Sequence, residues 1–217
     1  MIVSHKHRFI FFAVPKTATH TIRQALRAHM GPGDWEQQML FGKQSLPIPE
    51  LAKIQHGHIS ARQLRPHIEA DIWHSYFKFG FVRNPYDRFV STCFFLHREN
   101  PGFAASATQS MKDALARNHF RERVLVKPQL QQLTAEDGSM QLDYVGRYES
   151  LQHSYDEICS RLKLPTTMLG RNNTSRHGHP ADYYDDELRQ LVKDFYAQDL
   201  QTFAYDFPAS QESLVPG

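Results

Sequence analysis

The chain has 217 residues, a length that suits one domain of 1–217 with a core of its own. Hydrophobic residues make up 41%, which excludes a disordered chain, and 15 Phe with 9 Tyr favour a packed sheet over a coiled coil. A net charge of +2 is too mild to point to nucleic acid, and two cysteines, Cys93 and Cys159, are too few for a disulfide framework.

The first apolar run, Phe9–Val14, spans six residues, too short for a signal peptide or a membrane span. A soluble, cytoplasmic protein is the expectation. The same run is continuously apolar and β-prone, which predicts a strand buried on both faces. A polar loop, Pro15–Thr21, follows it. Ile22, Ala25, Leu26 and Met30 then recur at helical spacing up to Gly31. Residues 31–53 show little periodicity and read as loop. Ile54–Ile59 reads as a short strand or its end, and Ser60 as the cap of a helix that stops before Pro66.

A second unit of the same kind begins at Tyr76. Tyr76–Val82 reads as a buried strand. Asn84 is its helix cap, Pro85 the first helical residue, and Phe89, Val90, Cys93 and Phe94 mark the inward face. Ser106–Asn118 and Leu151–Leu162 read as helices, and Tyr144–Tyr148 as a third strand. Glu187–Phe203 reads as one long amphipathic helix with Leu188, Leu191, Val192, Phe195 and Leu200 inward. Strands alternating with helices predict an α/β fold, a three-layer αβα arrangement around a central parallel sheet. Ligands in such folds sit at the carboxyl ends of the strands, where both polar turns fall.

Those turns carry the chemistry. In the first, helix-terminal amides favour an anion. Lys16 adds a positive charge, and Thr17, Thr19 and Thr21 add hydroxyls. It is not a Walker A loop, because G-x-x-x-x-G-K-[ST] is missing. In the second, Arg83-Asn84-Pro85-Tyr86-Asp87-Arg88-Phe89-Val90-Ser91, the Arg83 guanidinium suits a phosphate, and Ser91 lies two helical turns on. The plain reading of each is a surface Lys and an Arg paired with Asp87.

Taken together, the two turns resemble the sulfotransferases that use 3′-phosphoadenosine-5′-phosphosulfate (PAPS), in particular the carbohydrate-sulfotransferase branch. Pro15-Lys16-Thr17-Ala18-Thr19-His20-Thr21 is similar to that branch's P-K-x-[AG]-[ST]-[ST]-[ST], with His20 in place of the usual small residue. Residues 83–91 are similar to its R-[ND]-P-[YF]-x-R-x-x-S. Gly146–Leu151, Asn172–Thr174, Tyr184–Leu188 and Tyr196–Phe207 extend the likeness over about residues 9–207. The G-x-x-G-D-W-K loop of small-molecule sulfotransferases is missing. The resemblance implies a P-loop-nucleotide-hydrolase-like sulfotransferase fold. It also implies that residues 15–21 hold the donor's 5′-phosphosulfate, with Lys16 beside the leaving group. Arg83 and Ser91 would hold its 3′-phosphate, and no metal would be needed. The implied acceptor is a hydroxyl, in this branch that of a saccharide. Arg171 and Arg176 are placed to close over the donor or to meet an anionic acceptor, the plain reading being a solvated loop.

Transfer to a hydroxyl needs a base. His58, after Gly57 at an expected strand end, is favoured for its near-neutral pKa, with His20 as rival. Three other readings stand beside this one. A P-loop-type kinase or other phosphotransferase using ATP shares the fold logic. A zinc hydrolase would use the H-x-H pairs His56/His58 and His177/His179. A binding module would keep the donor loops without the base.

Overall fold

The computed structural model describes residues 1–39, 44–170 and 178–208. Its five strands are β1 (Ile2–Ser4), β2 (Phe9–Phe12), β3 (Trp35–Glu36), β4 (Phe77–Val82) and β5 (Tyr144–Arg147). They form one sheet in the order β3-β1-β2-β4-β5. The helices of the first half are α1 (Thr19–Arg27), α2 (Pro49–Ala52), α3 (Ala61–Leu64), α4 (Ala70–Ser75) and α5 (Pro85–Leu96). Those that follow are α6 (Ala107–Leu115), α7 (Asn118–Arg121), α8 (Leu130–Leu133), α9 (Leu151–Leu162), α10 (Asp186–Phe195) and α11 (Ala197–Thr202). The α/β class read from the sequence is the observed one.

The chain divides into two compact units, Met1–Val82 with Gln129–Asn172, and Arg83–Pro128 with Asn173–Gly217. The first unit holds the sheet. β2, β4 and β5 run parallel, Phe12 opposite Gly80 and Phe81 opposite Gly146. Both sides of these strands are covered, which is why their sequence shows no polar alternation. Phe9, Phe11, Phe79 and Phe81 point to one face and pack with Ile22 and Leu26 of α1 and Ile158 of α9. On the opposite face the Phe12 ring lies 6.3 Å from Trp73 of α4. A side chain at Gly80 there would meet Leu133 of α8 at 3.4 Å.

The sheet is not wholly parallel, as expected, but mixed. β1 is antiparallel to both β2 and β3. This hairpin escapes a sequence reading because β1 is three residues long and runs straight into the polar turn of His5, Lys6 and His7. Asp34 holds the turn, accepting from Ser4 Oγ (2.7 Å) and from the Lys6 amide (3.0 Å).

Ile54–Ile59 is not a strand. Its carbonyls are claimed by side chains instead of a neighbouring strand. Gln37 Nε2 donates to Leu51, Ile54 and His56, and Arg23 Nη2 donates to Gly57 at 2.7 Å. Ser60 caps α3 in a reciprocal box with Gln63, as its position predicts.

In the second unit, α5, α6, α10 and the ring of Tyr196 enclose a separate apolar core. The expected single helix over Glu187–Phe203 is two. It breaks at Tyr196 (φ −107°, ψ 22°), whose buried hydroxyl donates to the Val126 carbonyl at 2.6 Å. Leu191, expected inward, is exposed.

Candidate active site

β2 and β4 are hydrogen-bonded parallel neighbours, so the chain leaves adjacent strand ends at Ala13 and at Arg83. After β2 the loop is tight. Lys16 (φ 65°) and Ala18 (φ 60°) both take the left-handed conformation without being glycine. Such residues cost of order 1–3 kcal/mol each and concentrate where a loop must present its amides. Thr17 Oγ1 staples the turn by donating to the Val14 carbonyl at 2.9 Å. The expected hydroxyl role of Thr17 is therefore already taken inside the loop, which leaves its backbone for a ligand. Ala18, the N-cap of α1, provides no side-chain cap, and the first turn of α1 contains no acid. A helix start left in this state, next to Lys16, fits an anion. Thr21 is buried, while Thr19, His20 and Lys16 are partly exposed.

His58 sits at the head of this loop. Its Nδ1 lies 2.6 Å from the Ala13 carbonyl, two residues before Pro15. A carbonyl only accepts, so Nδ1 carries the proton and Nε2 carries the lone pair. The near-neutral pKa expected for His58 is not found. Burial pushes it down to about 3, against the opposing bond to Ala13, and the Arg23 guanidinium adds to the depression. The ring is neutral at neutral pH and can take a proton at Nε2.

Gly57 makes this placement possible. The Met1 nitrogen and Arg23 Nη2 both donate to its carbonyl. A Cβ at this position would lie 2.4 Å from the Gln37 carbonyl oxygen and 2.8 Å from Arg23 Nη2. Arg23 is in turn bonded to Glu36 at 3.0 Å, with Arg27 on the same carboxylate, and these partners hold Glu36 below the usual carboxylate range against the effect of burial. We expect Gly57→Ala to lose about 1–3 kcal/mol of stability in chemical denaturation, because backbone and a buried ion pair must both shift. An unchanged midpoint would contradict this packing. Arg23 was missed from sequence. Its only mark there is Arg27 one helical turn on.

After β4, Asn84 caps α5 by accepting from the Tyr86 amide, and Pro85 takes the first turn, as read from sequence. Arg83 is buried and bidentate to Asp87, Nε to Oδ2 at 2.7 Å and Nη2 to Oδ1 at 2.8 Å. The plain pairing with Asp87 is therefore present, and it fixes the plane of the guanidinium at the strand end. Arg88 pairs with no carboxylate among the described residues. It is 1% exposed and donates to the carbonyls of Leu125, Val126 and Lys127, anchoring residues 125–127 to α5. Ser91 is fully buried in α5.

A model of the sulfotransferase family matches residues 1–206. The chain belongs to that family. The match runs through both compact units and both motif turns. No curated protein and no solved structure matches the chain.

For the remaining expected site residues, the structure is selective. It brings His58 to the 15–21 loop through Ala13. Arg171, Arg176 and His177 lie outside the described residues. The rings of His56 and His58 are 6.0 Å apart, and among the described residues no group of three metal-ligating side chains occurs. Tyr183 and Tyr184 are packing residues. Tyr184 donates to the Tyr86 carbonyl at 2.9 Å, and Tyr183 packs on Phe94. Among the described residues no helix is long and apolar enough to cross a membrane.

Proposed function

We infer that this chain transfers a sulfuryl group from PAPS to the hydroxyl of an acceptor, a saccharide in the first instance. The observation that carries the reading is the parallel pairing of β2 with β4, which makes the two motif turns issue from neighbouring strand ends. Helices on both faces of β2, β4 and β5 favour the P-loop-nucleotide-hydrolase-like form of the fold. A cytoplasmic location belongs to the same proposal, supported by Cys93 and Cys159, which are buried and form no disulfide.

The donor supplies an activated sulfuryl group whose leaving group is the 5′-phosphate of adenosine 3′,5′-bisphosphate. The 15–21 loop binds its phosphosulfate with the amides after Ala18 and with Thr19 and Thr21. Lys16 meets the negative charge that grows on the bridging oxygen as the sulfur–oxygen bond breaks. Arg83 and Ser91 bind the 3′-phosphate, and Arg171 belongs to the same proposed donor set. His58 accepts the acceptor's proton at Nε2 as the new oxygen–sulfur bond forms, and His20 is the alternative base. No metal is assigned a role.

The test of the donor assignment is discrimination by the 3′-phosphate. Calorimetry is expected to give adenosine 3′,5′-bisphosphate a Kd at least about tenfold below that of 5′-AMP. Arg83→Ala removes a charge-assisted bidentate pair worth roughly 1.5–3 kcal/mol, so the bisphosphate weakens about 10–100-fold and 5′-AMP hardly changes. Equal loss for both ligands would place Arg83 elsewhere.

A further inference from the structure

The second unit contains a pocket that the sulfuryl-transfer reading does not use. It has a volume of about 450 Å³, within the range of sites for small organic ligands. Its apolar lining comes from Leu96 and from Ala114 and Phe120, which also belong to the buried core of this unit. Polar groups at its wall include Arg117, His119 and Arg123.

Charge in this region is lopsided. Between His97 and Lys127 six basic side chains face three acids, while the whole chain nets only +2. Outside the pocket, Arg98 lies 3.4 Å from Glu99, Arg121 donates to the Asn118 side-chain carbonyl, and both lysines are paired with acids. Lys112 lies 2.6 Å from Asp185, and Lys127 lies 2.8 Å from Glu122. Arg117 and Arg123 pair with no carboxylate among the described residues. Arg123 lies 6.0 Å over the Phe120 ring. Asp113, the one acid at the wall, accepts from the Gln109 amide at 2.8 Å. Two arginines beside an apolar floor are complementary to a ligand with one flat apolar face and at least one negative group.

The pocket is distinct from the Arg83 turn. Arg83 precedes the first residue of α5, whereas Leu96 is its last. Twelve helical residues put about 18 Å between those ends.

We propose that this pocket is a second anion site, which binds an organic anion of roughly monosaccharide to nucleotide size through Arg117 and Arg123. The proposal does not depend on the donor reading, since it involves neither Lys16 nor Arg83.

A matched pair of probes tests it on the full chain. 4-Nitrophenyl β-glucuronide and 4-nitrophenyl β-glucoside differ by one carboxylate. Calorimetry is expected to show the glucuronide binding at least about tenfold tighter, with the difference shrinking as salt is raised. Arg117→Ala with Arg123→Ala removes the preference, while Arg83→Ala leaves it intact. Both arginines are exposed, so the double variant should melt like the parent. Equal affinity for the two probes, no binding of either, or a preference that survives the double variant would each overturn the proposal. Loss of adenosine 3′,5′-bisphosphate binding in Arg83→Ala, with the glucuronide preference intact, would separate the two sites.

Discussion

Replacing His58 by glutamine is expected to lower kcat for sulfuryl transfer by about 10²–10⁴-fold, the range that a positioned general base supplies. Glutamine keeps a donor for the Ala13 carbonyl but has no basic nitrogen, so the loop should stay in place and only proton removal should fail. The pH profile separates this role from a structural one. In the free protein the His58 pKa is depressed to about 3 by burial and nearby positive charge. In the proposed reaction an anionic donor lies beside it, which favours the imidazolium and raises that value. The acid limb of kcat should therefore lie at higher pH than that of kcat/KM for the donor, and it should disappear in His58→Gln.

Stability responds to the same group. The folded pKa lies below the ordinary value of 6.5, so the unfolded chain binds the extra proton between the two. The contribution of His58 is complete above about pH 6.5 and is lost as pH falls toward 3, by up to about 1.4 kcal/mol per unit. His58→Gln should flatten that slope. A variant with normal turnover would exclude His58 as the base and leave His20 to be tested.

Lys16→Ala is expected to lower kcat by about 10²–10³-fold, comparable to the loss of one preorganised donor from a charge-stabilising site. Lys16 is held with φ at 65°, between the Pro15 turn and the Thr17–Val14 staple. A strained backbone at a lysine is retained where its direction matters. In the proposed reaction its partner is charge that builds only as the bond to sulfur breaks, so the loss should fall on kcat more than on the Kd of adenosine 3′,5′-bisphosphate. Lys16→Arg should recover little, because a planar fork does not replace a compact ammonium at this place. A Lys16→Ala enzyme with a raised KM and unchanged kcat would assign the lysine to ground-state binding alone.

The parts of this fold legible in the sequence were those with strong local chemistry. Phe9–Val14 and Tyr76–Val82 are apolar on both faces because helices cover both sides of the sheet. Ser60, Asn84 and Pro85 announce their helices through capping, which needs only neighbouring residues. Elements decided by distant partners were not legible. β1 exists because β2 and β3 flank it, not because three residues favour a strand. Residues 54–59 lose their strand to Gln37 and Arg23, both well upstream. The break at Tyr196 depends on a carbonyl 70 residues away.

The site divides along the same line. The candidates Lys16 and Arg83 could be named and placed because each follows a buried strand within a compact motif. His58 could be named but not placed, since nothing local reveals that Ala13 fixes its tautomer or that burial lowers its pKa. Arg88, in the same motif as Arg83, has a different task that only the carbonyls of residues 125–127 disclose.

The most direct test is calorimetric titration of the unmodified chain with adenosine 3′,5′-bisphosphate and, separately, with ATP and magnesium. A sulfotransferase donor site predicts that the bisphosphate binds at least about tenfold more tightly, a difference of about 1.4 kcal/mol. ATP binding as tightly as the bisphosphate, or more so, would contradict the account and favour a phosphotransferase.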